Sequence, residues 1–369
     1  NERWSMVFRF IRYLSSIPLG SCVLAAILTP VPAFSQEEVP EYKILSCAPQ
    51  CSNWTEPELL SRPKAIYPTR YRAPGSTPTD ALVDTSFTVT ADGRTKDIKV
   101  ISLVGPETFA RSAIHAVEQS TYRPAVENGE PVEQKGRRVR FRFFINGVRG
   151  VSTEVSNAYT SAINLERDGK TSDAIAILNR IVMTPEMNFY GRCSIANALA
   201  IMYSKLNDTD HALYFNRLAT LDGGKYLAPS TRDEAMRRQI ELETASHQYA
   251  DALQTFDLLR KIETISDDDP AGQLARKARE GVAASGPIYV RGWIRDSSMI
   301  GAWQHQLFRH SFAFKDATGK LDHFELSCDR HEISSTVVEG TVWAIPNDWG
   351  QCHLYVLGAA ESTFQLVEK

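Results

Sequence analysis

The spacing of apolar residues changes twice along the 369-residue chain, which excludes a fold built from one kind of element. Over 63–146 they alternate as in strands, around one helical stretch. Over 152–285 they recur every three or four residues, as in helices, and over 287–369 they alternate again. The pattern predicts a multidomain α+β chain. It has a small α/β sheet domain over 63–146, α-helical hairpin repeats over 152–285 and an antiparallel β domain over 287–369.

In the first unit, Val83, Thr85, Phe87 and Val89 alternate with Asp84, Ser86, Thr88 and Thr90, predicting a strand with one wet face. Asp92-Gly93 predicts a hairpin turn with positive backbone angles, and Ile98 and Val100 continue the return strand. Pro106 and Glu107 suit a helix start, and Phe109, Ala113, Ala116 and Val117 make the stripe that would lie on the sheet. After a second turn at Asn128-Gly129 comes "RRVRFRFFI". Val139, Phe141 and Phe143 share one face, and Arg138, Arg140 and Arg142 the other.

In the middle unit, "GKTSDAIAILNRI", "NDTDHALYFNRLA" and "HQYADALQTFDLL" align without gaps. Ala174, Ala212 and Ala252 share one position. Leu178, Asn216 and Phe256 share the next, and Ile181, Ala219 and Leu259 a third. This resembles tetratricopeptide-type helix pairs, in which a small residue lets two helices approach. Gly169, Asn207 and His247 fall where each pair turns.

The last unit reads as six strand segments in a small sandwich or barrel. Phe324, Leu326 and Cys328 alternate with His323, Glu325 and Ser327, the latter set expected to be wet. Cys352, Leu354 and Val356 share a face, so Cys328 and Cys352 are expected to meet as a disulfide, with Cys47 and Cys51 closing a small local loop. Cys193 is left as a buried thiol. No CxxC pair is present, which argues against a zinc knuckle or a thioredoxin-like site.

Arg3, Arg9 and Arg12 precede an apolar stretch that ends in Ala33-Phe34-Ser35, the layout of a signal peptide over 1–35. An uncleaved N-terminal anchor is the competing reading. Residues 36–62 lack a sustained period and read as linker. The formal net charge of -3 gives no general attraction to nucleic acid or an anionic membrane, so any membrane contact would run through an uncleaved N-terminal segment.

Residues 63–146 resemble the TonB C-terminal domain family. The resemblance rests on an ordered set: Tyr67-Pro68, the strand Phe87 to Val89, Asp92-Gly93 and the helix from Phe109. Tyr122-Arg123-Pro124-Ala125, Asn128-Gly129 and an aromatic last strand follow. It implies binding of a protein partner, an envelope protein or an outer-membrane receptor segment, by strand addition. The edge implied is Arg138, Val139, Arg140, Phe141, Arg142 and Phe143, and pairing of the same sheet with itself would give a homodimer.

The functional expectation is a non-enzymatic periplasmic interaction protein of the Gram-negative envelope, without cofactor. One alternative is a membrane-anchored, atypical energy transducer for TonB-dependent outer-membrane transport. Another is a metal-dependent enzyme in the β domain, built from His305, His310, His323, His331, His353, Glu325 and Asp329. There His310, between Phe308 and Phe312, is expected in the core. Trp293, Trp303, Trp343 and Trp349 read as sheet packing, with a carbohydrate-facing surface as the sharper alternative.

Overall fold

The computed structural model describes residues 42–44, 54–73, 76–77, 79–144, 150–295, 303–329 and 331–369. All of these belong to one compact unit, Pro40–Lys369. The expected signal peptide and the Cys47 and Cys51 pair lie outside the described residues.

The chain order begins with β1 (Tyr42–Ile44), β2 (Trp54–Thr55), β3 (Glu58–Ser61), β4 (Ala81–Val89), β5 (Thr95–Val104) and α1 (Glu107–Glu118). It continues with β6 (Thr121–Arg123), β7 (Ala125–Glu127), β8 (Glu130–Val132) and β9 (Gln134–Phe143). β4 is the centre of an antiparallel sheet ordered β5-β4-β9. α1 lies on one face and buries Phe109, Ala110, Ala113, Ala116 and Val117. Tyr67, Tyr71 and Phe143 surround Phe109, with ring centroids at 5.2, 5.2 and 5.0 Å. Full burial of such a ring stabilises by about 2–3 kcal/mol.

Three expectations change here. β4 has no wet face: Ser86 and Thr88 are as buried as Val83 and Phe87, because a second sheet covers them. In the hairpin turn only Gly93 of the pair takes a positive φ, 81°. Within the stretch read as linker, β2 pairs with β7 and β3 with β6. The side chains of β3 are exposed, so backbone pairing holds this strand and no apolar period announces it.

Seven helices follow: α2 (Thr153–Arg167), α3 (Thr171–Val182), α4 (Phe189–Lys205), α5 (Thr209–Ala219), α6 (Pro229–Ala245), α7 (Tyr249–Arg260) and α8 (Pro270–Ala283). Ala174, Ala212 and Ala252 sit on α3, α5 and α7, each fully buried at the helix contact. The turns at Gly169, Asn207 and His247 all adopt left-handed φ, at 77°, 57° and 58°. Three different side chains thus serve one backbone geometry. The Asn216 side chain, buried at a repeat position, donates to the Ala235 carbonyl at 2.9 Å and accepts from Arg238 at 2.7 Å. The core of α2 to α6 is continuous with Leu82 and Val104 of the first sheet.

The β domain comprises β10 (Ile288–Ile294), β11 (Trp303–Gln306), β12 (Ser311–Thr318), β13 (Leu321–Cys328), β14 (Glu332–Thr336), β15 (Val342–Ala344), β16 (Cys352–Gly358) and β17 (Ser362–Glu368). Two sheets form, ordered β1-β15-β12-β17-β10 and β11-β16-β13-β14. Phe312, Phe314, Phe324, Leu354, Val356 and Leu366 fill the space between them. Cys328 and Cys352 stand directly opposite on β13 and β16 and are disulfide-bonded. The segment 305–316 breaks into two strands, leaving His310 exposed, against the expectation of a core position, and His305 buried. Trp343 and Trp349 are core residues, whereas Trp293 and Trp303 are half-buried.

Candidate functional site: the edge and covered face of β9

β9 pairs with β4 along one side and with no other strand among the described residues. Val139, Phe141 and Phe143 pack on the α1 side. The opposite face, which carries the arginine row, is a seam. Arg140 makes a two-pronged ion pair with Asp84 at 2.7 and 2.8 Å. Arg142 reaches Asp222, before α6, at 2.7 Å, and Lys225 holds the same carboxylate at 2.9 Å. Burial would raise the Asp222 carboxyl, but these two cations outweigh it and hold the pKa below the usual carboxylate range.

The rest of the seam joins this face to the β13–β16 sheet. Lys99 pairs with Glu325 at 3.3 Å, and the Ser86 hydroxyl donates to Glu332 at 3.3 Å. The Gln134 side chain donates to the Asp329 carbonyl at 3.2 Å. Glu325, read as wet, is therefore buried beneath a neighbouring domain. Alternation reports that one face of a strand is polar; it does not report whether water or another polar face lies against it.

Arg138 lies at the middle of the seam. Its guanidinium carbon is 3.8 Å from the centre of the Tyr355 ring. Nε and Nη2 are buried with no hydrogen-bond partner among the described residues. Burial lowers its pKa, against the fields of Glu332, Glu325 and Asp84. Polar cavities of about 280 and 510 Å³ flank it, both lined by Arg138 and Tyr355.

The family-motif residues fall into two groups, Tyr67 in the cluster around Phe109 and Tyr122 in the cluster around Phe87 and Val117. The Tyr67 hydroxyl donates to the Thr79 carbonyl at 2.5 Å, and its pKa is pushed up to about 12, chiefly by burial. Pro68 leads into a short 3-10 turn, and Asp92 accepts a hydrogen bond from Thr90 in the hairpin. The Tyr122 amide donates to the Gly93 carbonyl at 2.8 Å, and its ring packs 5.9 Å from Phe87. A Cβ at Gly93 would lie 2.0 Å from the Tyr122 oxygen. Arg123 pairs with Glu58, and Pro124 follows with its ring beside Gly93.

A second charged cluster joins the helices to the β domain. His305 Nε2 lies 2.8 Å from Glu368, and Nδ1 faces Asp251 at 3.5 Å. Arg217 reaches Glu243 at 3.0 Å and Asp251 at 3.4 Å. Burial alone would lower the His305 pKa, but the two carboxylates prevail and raise it to about 9. Burial raises the Glu243 carboxyl, despite Arg217. Sequence reasoning missed Glu368, Asp251, Asp222 and Tyr355. Asp251, Asp222 and Tyr355 act across a domain boundary, and Glu368 meets His305 from a distant strand of the β domain; no local period marks either.

The structure does not gather the candidate metal ligands. His305 is committed to Glu368, His331 stacks 4.7 Å from Trp349, and His323 lies 3.8 Å from Glu325. Among the described residues, no group of three or more His, Cys, Asp or Glu has a metal-holding arrangement. Cys193 is a free, buried thiol whose pKa burial pushes up. Among these residues, too, no helix is long and apolar enough to cross a membrane.

Residues 65–145 match the family model described as Gram-negative bacterial TonB protein C-terminal. Parts of the chain are similar to solved structures. The Pseudomonas aeruginosa TonB CTD is 24% identical, over 29% of this chain and 96% of that one, with a TM-score of 0.23. The TonB2 protein of Vibrio anguillarum is 28% identical, over 27% and 94%, with a TM-score of 0.20. A tetratricopeptide repeat protein from Parabacteroides merdae is 19% identical, over 35% and 47%, with a TM-score of 0.28. No curated protein matches the chain.

Proposed function

We propose that the chain is a non-enzymatic, periplasmic interaction protein of the Gram-negative envelope, which binds a protein partner by strand addition to β9. The family match over 65–145 supports a TonB-type protein-interaction role. The observation that carries the binding mode is the edge of β9, which has no second strand beside it among the described residues. Such an edge offers backbone donors and acceptors that an extended segment can satisfy, and the reading places that segment along Arg138 to Phe143. The helical hairpins and the β sandwich hold the edge in place.

Photo-cross-linking from Lys135, Arg140 and Phe144 of the full chain in intact cells tests the reading. Cross-links to an extended segment of an envelope protein are expected. Cross-links only to a second copy of this chain would replace it with self-pairing. Sequencing the N-terminus of the purified native protein tests the compartment, and a start at Gln36 is expected.

A further inference from the structure

The cavity of about 510 Å³ beside Arg138 is lined by Gln134, Gly136, Arg137 and Arg138. Near-consecutive strand residues point to opposite faces, so a space that meets them all runs along the strand's edge. Its other wall is the β domain: Ser327 and Asp329 at the end of β13, and Gln351, His353 and Tyr355 around β16. The first half of the β9 edge, as far as Arg138, therefore faces a groove with two walls.

The groove also carries unmet hydrogen-bond donors. Glu56 is taken by Arg137 at 3.4 Å, and Asp329 accepts the Gln351 amide at 2.9 Å. Glu325 is paired with Lys99, Asp84 with Arg140, and Glu332, the carboxylate whose field on Arg138 is strongest, takes the Ser86 hydroxyl at 3.3 Å. Arg138 alone keeps two buried N–H groups, on Nε and Nη2, without a partner among the described residues. Leaving a buried charged donor unmet is costly, and a carboxylate arriving with a ligand would remove that cost.

We propose that the C-terminal β domain is the second wall of the partner groove, and that the partner is an acidic extended segment. Its backbone pairs with β9, one carboxylate side chain bonds Arg138, and its far side rests on the Gln351 to Tyr355 wall. This rests on the strand-addition reading above and gives the β domain a part in recognition.

The test uses the full chain and two short fluorescent peptides, one of alternating Val and Glu and one of alternating Val and Gln. Fluorescence anisotropy gives affinity, and amide exchange across β9 reports strand pairing. The Glu peptide is expected to bind about tenfold tighter, the size of one charge-assisted hydrogen bond. Arg138→Gln should erase that preference, and Arg138→Lys should keep part of it. Gln351→Trp, on the exposed far wall, should weaken both peptides. Equal binding of both peptides, indifferent to Arg138→Gln and Gln351→Trp but still protecting β9, would overturn the two-walled groove and leave strand addition standing. Binding of neither peptide, with no protection of β9, would remove both.

Discussion

The Arg138 guanidinium rests on the face of the Tyr355 ring, 3.8 Å from its centre, and ties the edge strand β9 to a sheet more than two hundred residues downstream. A desolvated contact of this kind contributes on the order of 1–2 kcal/mol. Tyr355→Leu keeps the apolar bulk and removes the quadrupole. It should lower stability to urea by about that amount, and amide exchange at Arg138 to Arg142 should quicken. Unchanged exchange there would mean that the stacking holds nothing.

Gly93 is held by its backbone and by its neighbour. At φ 81°, and with a Cβ destined to meet the Tyr122 oxygen at 2.0 Å, Gly93→Ala adds strain and a collision. It should cost roughly 2–4 kcal/mol, well beyond the effect of φ alone. Thermal or urea unfolding checks this. A change below about 1 kcal/mol would show that the Tyr122 strand yields easily.

Arg192 is fully buried on α4 and donates to the carbonyls of Val182, Thr184 and Pro185 at 2.6, 2.8 and 3.0 Å. These include the last residue of α3, whose end carbonyls have no intrahelical donors. Burial lowers its pKa to about 10, so it stays charged at neutral pH. Arg192→Met should leave those carbonyls unmet and cost about 3 kcal/mol. Arg192→Lys, which offers fewer donors, should recover only part of the loss.

Stability should fall in mild alkali. The His305 pKa is raised from 6.5 to about 9 in the folded chain. Its contribution is thus full below pH 6.5 and disappears as pH climbs through 9, a change on the order of 3 kcal/mol. The raised Glu243 carboxyl has the same sign, its share fading as pH rises above the ordinary carboxylate range. Melting temperatures from pH 6 to pH 10 should decline, and His305→Gln should flatten the upper part of that profile. An unchanged profile in His305→Gln would assign the alkaline loss elsewhere.

Local signals announced the local structure. The fold class, the helix-pair positions of Ala174, Ala212 and Ala252, and the facing cysteines of β13 and β16 were all visible in period and spacing. The strand β9 was legible too, in the Val139, Phe141 and Phe143 stripe. The opposite face was not. Ser86, Glu325 and the three arginines carry the same polar code whether they meet water or each other, and only the packing of domains distinguishes the two. His310 missed its expected place in the core because a break between β11 and β12 resets the alternation.

The sharing of Leu82 and Val104 with the helical core bears on how such a chain is dismantled and reused. The 65–145 segment is not a cassette. Excised, it would carry a bare oily spot where α2 to α6 used to be, and its transplants should clump unless that spot is repainted with polar side chains. By the same token, a helical array joined to this segment has to supply an apolar surface that covers Leu82 and Val104.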